Sequence, residues 1–166
     1  MTSGMAGWET PTGSYSIINR VANETMESGA IGAESFYKLE DVTEKGYSPM
    51  DLRMLFLSSH YRSQMNFTWD SLASARKNKE TLFALVERLE SAAPGTEDIS
   101  SSFRTDFFEA IEDDLNTPLA LSVLLGFANK ANAALDAGTL IDVKRALAFL
   151  SEVFLVFGII RETVTV

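Results

Sequence analysis

The chain has 166 residues, 46% of them hydrophobic and 22% charged, which is enough apolar surface for one cooperatively folded core and too much for a disordered chain. With 0 Cys and 1 His, disulfides, thiolate metal clusters, cysteine nucleophiles and multi-histidine metal sites are excluded. The 14 Lys plus Arg against 23 Asp plus Glu give a net charge of -9, a field that repels nucleic acid, so any RNA contact must run through a local basic patch.

Residues 1–35 are rich in Gly, Ser and Thr, hold one short β-prone run at Ser14–Ile18, and keep no sustained period. They read as an irregular arm. The start, Met1–Ser14, has neither the basic end nor the apolar centre of a secretory signal. The longest apolar stretch, Ala146–Ile160, is broken by Ser151-Glu152 and falls short of the roughly 20 residues a membrane helix requires. The expectation is a cytoplasmic protein with no membrane partner.

From residue 36 the period becomes helical. Leu39 and Val42 fit about two turns closed by Gly46, and Ser48-Pro49 offers a cap followed by proline at the first helical position. That second helix is expected to run to Tyr61, with Leu52, Leu55, Phe56 and Ser59 on one face. Thr68 can cap a long helix whose stripe is Leu72, Ala75, Leu82, Val86 and Leu89, ending before Pro94-Gly95. Three serines, Ser100 to Ser102, can cap the next, with Phe103, Phe107, Ala110 and Ile111 inward.

Asp113-Asp114 at its C-terminal end faces an unfavourable helix dipole, which suggests an immediate partner. Asn116-Thr117-Pro118 starts another helix that stops at Gly138, and a last one runs from about Ile141 to Phe157. No strand-period segment competes. The fold class is all-α, an antiparallel helical bundle of about five helices over residues 36–160, preceded by the arm and followed by a tail at residues 161–166.

Four stretches in this order resemble bacterial cysteinyl-tRNA synthetase, a class I enzyme, in its C-terminal DALR helical-bundle region. Phe36-Tyr37-Lys38-Leu39-Glu40-Asp41-Val42 is similar to the segment after the KMSKS loop, and Ser48-Pro49-Met50-Asp51-Leu52-Arg53 stands in the place of the DALR signature. Leu57-Ser58-Ser59-His60-Tyr61-Arg62-Ser63 with Asn66-Phe67 resembles L-S-x-H-Y-R-S-x-x-N-F. Phe108 to Pro118 resembles F-x-x-A-M-D-D-D-x-N-T-P. The resemblance implies a tRNA-contacting domain of a protein-biosynthesis enzyme that ligates cysteine to tRNA.

The departures bear on activity. The family's catalytic domain carries a HIGH-type ATP motif, zinc-ligating cysteines and the KMSKS lysines, whereas Ser28-Gly29-Ala30-Ile31-Gly32 fills the KMSKS position without a lysine. Activation of an amino acid develops charge on a triphosphate and needs cations aimed at it. No catalytic residue, metal site or cofactor is therefore assigned within the chain; ATP and zinc would belong to the missing catalytic domain.

Arg53, Arg62, Arg76, Lys77 and Lys79 form the one locally basic region, opposed between them only by Asp70. With His60 and Tyr61 they are the candidate tRNA or interdomain contacts; a solvated helix face and a capped helix end are the structural alternatives. Tyr61, Phe67 and Trp69 could stack on a base or close the core. Glu109, Glu112, Asp113 and Asp114 lack EF-hand spacing, and Asp114, Asn116 and Thr117 are assigned to a structural turn. The expected partners are tRNA, bound weakly, and either a separate catalytic domain or another protein. The rival reading is a stand-alone paralogue that serves as a protein-interaction module without tRNA.

Overall fold

The computed structural model describes residues 37–65 and 67–160; the arm with its run Ser14–Ile18 and the Ser28–Gly32 segment, Phe36, Asn66 and the tail lie outside the described residues. Among the described residues six helices follow in chain order: α1 (Leu39–Glu44), α2 (Pro49–Leu57), α3 (Trp69–Ser91), α4 (Ser101–Glu112), α5 (Thr117–Asp136) and α6 (Val143–Phe157). The protein is an all-α bundle. Since α1 is only 6 residues long, the helices of two or more turns number five.

Capping chemistry sets most of the starts. Ser48 Oγ accepts from Asp51 N–H at 3.2 Å while Asp51 Oδ2 accepts from Ser48 N–H at 2.8 Å, a reciprocal box with Pro49 just inside it. Thr68 and Ser71 repeat the device at α3, at 3.0 and 3.1 Å. Asn116 caps α5 and Asp142 caps α6 through their side-chain oxygens. At α4 the expected serine cap is replaced: Ser100 occupies the cap position without capping through its hydroxyl, and Asp98 Oδ1 accepts instead from the Ser100 and Ser101 N–H groups at 2.9 and 3.1 Å. A carboxylate two residues upstream outcompetes the hydroxyls because its charge makes it the stronger acceptor.

The main packing pairs are α4 on α5 and α2 on α3, with α3 also against α5 and α6. The centre is aromatic: Phe107, Phe127 and Phe149 are each almost wholly buried, and Phe149 meets the other two edge-on at 6.2 and 5.1 Å between centroids. The loop after α3 runs beside the loop before α6, joined by Gly95 N–H to Ile141 O at 2.9 Å and Asp142 N–H to Glu97 O at 2.7 Å. A Cβ at Gly95 would lie 1.9 Å from the Leu140 carbonyl oxygen, so only glycine permits this approach.

The expected extent of α2 requires correction. It stops at Leu57, not Tyr61, because the Ser58 hydroxyl donates back to Leu55 O at 2.6 Å and turns the chain. Its buried side is Asp51, Leu52, Met54 and Leu55, while Phe56 is 44% exposed. His60, Tyr61 and Arg62 therefore sit in a turn beyond the helix.

Candidate functional site

The seven candidate contact residues divide into two settings. Arg76 and Lys79, one turn apart on α3, both reach the Asp51 carboxylate at the start of α2. Arg76 Nε lies 3.0 Å from Oδ2 and Lys79 Nζ 2.6 Å from Oδ1, and Asp51 is 1% exposed. Lys79 also donates to Ser48 Oγ at 3.0 Å, while Arg76 donates to Gly46 O and its guanidinium sits 4.0 Å from the Tyr47 ring centroid. Burial alone would push the Asp51 carboxyl up, but Lys79, the Ser48 N–H and Arg76 together hold it below the usual carboxylate range. These two cations tie α3 to α2. Lys77, between them in sequence, is exposed.

The second setting joins the turn after α2 to the turn between α4 and α5. Tyr61 Oη donates to Asp114 Oδ1 at 2.7 Å and accepts from Arg62 Nε at 2.7 Å. Arg62 Nη2 lies 3.3 Å from the same carboxylate oxygen, and His60 Nε2 lies 4.0 Å from the other. The carboxylate that takes the phenol's proton bond pushes the Tyr61 hydroxyl above its usual range. Asp114, whose acidic pair suggested a partner in the sequence, thus has three neighbours able to offset its place at a helix C-terminus.

The backbone here is unusual. Asp114 and Leu115 both take left-handed conformations, φ 51° and 53°, which bulky residues adopt rarely. Asn116 then caps α5 at Leu119 N–H, 3.2 Å, and Thr117 Oγ1 donates to Ser59 O at 3.4 Å.

Between α1, α2 and residues 59–65 lies an open groove of about 650 Å³. Its apolar walls are Leu39, Leu52, Phe56, Leu57 and Met65, with Tyr61 at 59% exposure. Among the described residues, Arg53 and His60 supply its charge-bearing groups and no acidic side chain lines it. The Arg53 guanidinium lies against the left-handed cap of α6, where a Cβ on Gly158 would stand 2.7 Å from Nη1. Arg53 and Lys77 make no ion pair among the described residues.

The structure also separates the three aromatic candidates. Phe67 and Trp69 join Tyr37 and Tyr47 in a cluster between α1, α2 and α3, with Tyr37 5.4 Å from Phe67 and 5.2 Å from Trp69. Tyr61 stands apart and stacks on His60 at 4.8 Å, the rings inclined by 25°. Two residues of consequence were not singled out from the sequence. Asp51 is legible as the third residue after the Ser48 cap, a capping-box position; Phe56 shares a predicted face with Leu52 and Leu55, yet it is 44% exposed while they are buried.

Among the described residues no group of three or more His, Cys, Asp or Glu is placed to hold a metal ion, and no helix is long and apolar enough to cross a membrane.

These features define, among the described residues, a helical bundle with a cation-bearing apolar groove, and comparison with known proteins specifies it further. Residues 106–161, from within α4 to just past α6, match the DALR domain. The chain is 33% identical over 135 residues to cysteine-tRNA ligase of Chlamydia abortus, covering 76% of this chain and 28% of that protein. It is 38% identical over 136 residues to the Legionella pneumophila ligase, 77% of this chain and 29% of the relative. With the Halorhodospira halophila ligase the figures are 35% over 143 residues, 86% and 29%. The chain is thus a relative of the DALR-bearing region of cysteine-tRNA ligases, and it spans under a third of the length of the curated relatives it matches.

Proposed function

We propose that this chain is the tRNA-contacting helical bundle of a cysteinyl-tRNA synthetase-like protein and that by itself it does not ligate cysteine to tRNA. The observation that carries the reading is the similarity to cysteine-tRNA ligases over 76–86% of the chain, together with the DALR match at residues 106–161. The absence of activity follows from chemistry: the 166 residues contain no cysteine to build a thiolate zinc site and no lysine in Ser28–Gly32 to meet a triphosphate. ATP and zinc would belong to a catalytic domain, and that domain is the natural protein partner.

Contact with tRNA on a chain of net charge -9 works through proximity. Charges more than about 8 Å from a phosphate are screened at physiological salt, so exposed Arg62, Lys77 and Arg53 act while the distant acids fade. Neutralising only about three phosphates gives micromolar affinity at best and a steep fall with salt.

The rival reading, a protein-interaction module without tRNA, has one observation in its favour: Arg62, Arg76 and Lys79 are all engaged by carboxylates. Filter binding of total tRNA at low salt separates the two. Retention by the wild type that drops several-fold in the Arg62→Ala, Lys77→Ala double variant supports tRNA contact; identical retention by both favours the interaction module. ATP-pyrophosphate exchange with cysteine is expected to be undetectable, and measurable exchange by the purified chain would refute inactivity.

A further inference from the structure

We propose that the groove between α1, α2 and residues 59–65 takes one unpaired nucleotide of RNA, its base against Phe56 and Tyr61 and its phosphate at Arg53. The inference rests on the tRNA reading and names the part of the RNA that this face receives.

Charge is the first reason. On a chain with 23 acidic residues, none of the described ones lines the groove, and the groove carries an arginine with no carboxylate partner among the described residues. A guanidinium left without a carboxylate at the edge of an apolar groove suits a ligand that is flat and apolar in one part and anionic in another. A nucleotide has that division.

Shape and rigidity are the second. Phe56 at 44% and Tyr61 at 59% exposure are large rings left in solvent on the groove walls, while the other aromatics nearby are packed into the cluster around Trp69. The Tyr61 ring is held in place by its hydroxyl bonds to Asp114 and Arg62 and is backed by His60, so little side-chain entropy remains to be lost on stacking. Bases in a duplex are already stacked on each other and cannot enter. Unpaired bases can be splayed out onto aromatic side chains, the usual route to RNA single strands.

The test is fluorescence anisotropy on the full chain at low salt, with a labelled single-stranded RNA hexamer, a hexamer duplex and total tRNA as probes. The single strand should bind about tenfold more tightly than the duplex. Phe56→Ala should weaken hexamer binding by about tenfold or more, Phe56→Trp should restore it, and Arg53→Gln should lower the salt slope by about one. Phe56 is exposed enough for its replacement to leave the fold intact, and Tyr61→Ala provides a second loss of stacking if it does not.

Equal binding of strand and duplex, or unchanged affinity in Phe56→Ala and Tyr61→Ala, overturns the groove assignment. If tRNA still binds in that case, the tRNA reading stands without the groove. Hexamer binding with no tRNA binding upholds the groove and removes the tRNA reading. Failure of both probes removes both and leaves the groove to a protein segment.

Discussion

Asp51 and Asp114 each gather basic or hydrogen-bonding groups from a second part of the chain, yet solvent gives them different roles. Asp51 is 1% exposed and is held by Arg76, Lys79 and the Ser48 backbone; the Asp114 side chain is 48% exposed and is met by Tyr61, Arg62 and His60. Inside the protein, an ion pair broken on one side leaves a charge that water cannot reach, so the penalty is large. At the surface, water and salt replace the lost partner, and the same geometry is worth little. Basic residues that look alike in the sequence therefore divide into those that hold two helices together, Arg76 and Lys79, and those that stay at the surface, Arg53, Arg62 and Lys77.

The largest expected effect comes from breaking the buried cluster. Asp51→Ala removes the acceptor of the Ser48 capping box and strands Lys79, whose side chain is only 15% exposed. The expected loss is about 3 kcal/mol, read as a lower urea midpoint at constant slope. Arg76→Ala should lose less, because Lys79 still faces the carboxylate. An Asp51→Ala midpoint within error of the wild type would show that the α2–α3 contact is held by its apolar side alone.

Acid probes the same site. Because Asp51 is held below the usual carboxylate range in the folded chain, folding favours its ionised form. That contribution is complete above the unfolded value of about 3.9 and is lost as pH falls through the lowered folded value. Asp98 adds to the trend with the same sign: the Ser101 hydroxyl, the Ser100 N–H and Arg145 depress it against a smaller desolvation. The stability gap between wild type and Asp51→Asn should be constant from pH 7 to about 5 and close below about pH 4. A gap that persists unchanged at pH 2 contradicts the assignment.

How much of this was readable beforehand follows from the range of each interaction. Helix starts were legible where the signal is local, as at Ser48-Pro49, Thr68 and Asn116-Thr117-Pro118, since a cap acts over three residues. The end of α2 was not, because Ser58 is compatible with a helix and stops this one only by bonding back to Leu55. The basic run from Arg53 to Lys79 was visible as charge, but which cations were committed depended on Asp51, 25 residues from Arg76 and brought there by the packing of α2 on α3. The acidic pair at the end of α4 announced that it needed a partner; its identity, 53 residues away at Tyr61, was a tertiary fact.

The smallest effects belong to the exposed cluster, where backbone and side chain can be separated at one position. Asp114→Ala removes the carboxylate and leaves a residue with a Cβ at φ 51°, whereas Asp114→Gly removes the same carboxylate and favours that conformation. The glycine variant should therefore be more stable than the alanine variant by about 1 kcal/mol. Tyr61→Phe, which removes only the hydroxyl between Asp114 and Arg62, should move Tm by no more than about 3 °C, since exposed pairs contribute little. Its effect should appear instead in the order of the turn, as faster amide exchange at residues 113–116 with the rest of the bundle unchanged. Equal stability of the glycine and alanine variants would mean that the left-handed pair relaxes once the carboxylate is gone. The side-chain cluster would then be what holds the turn in its strained form.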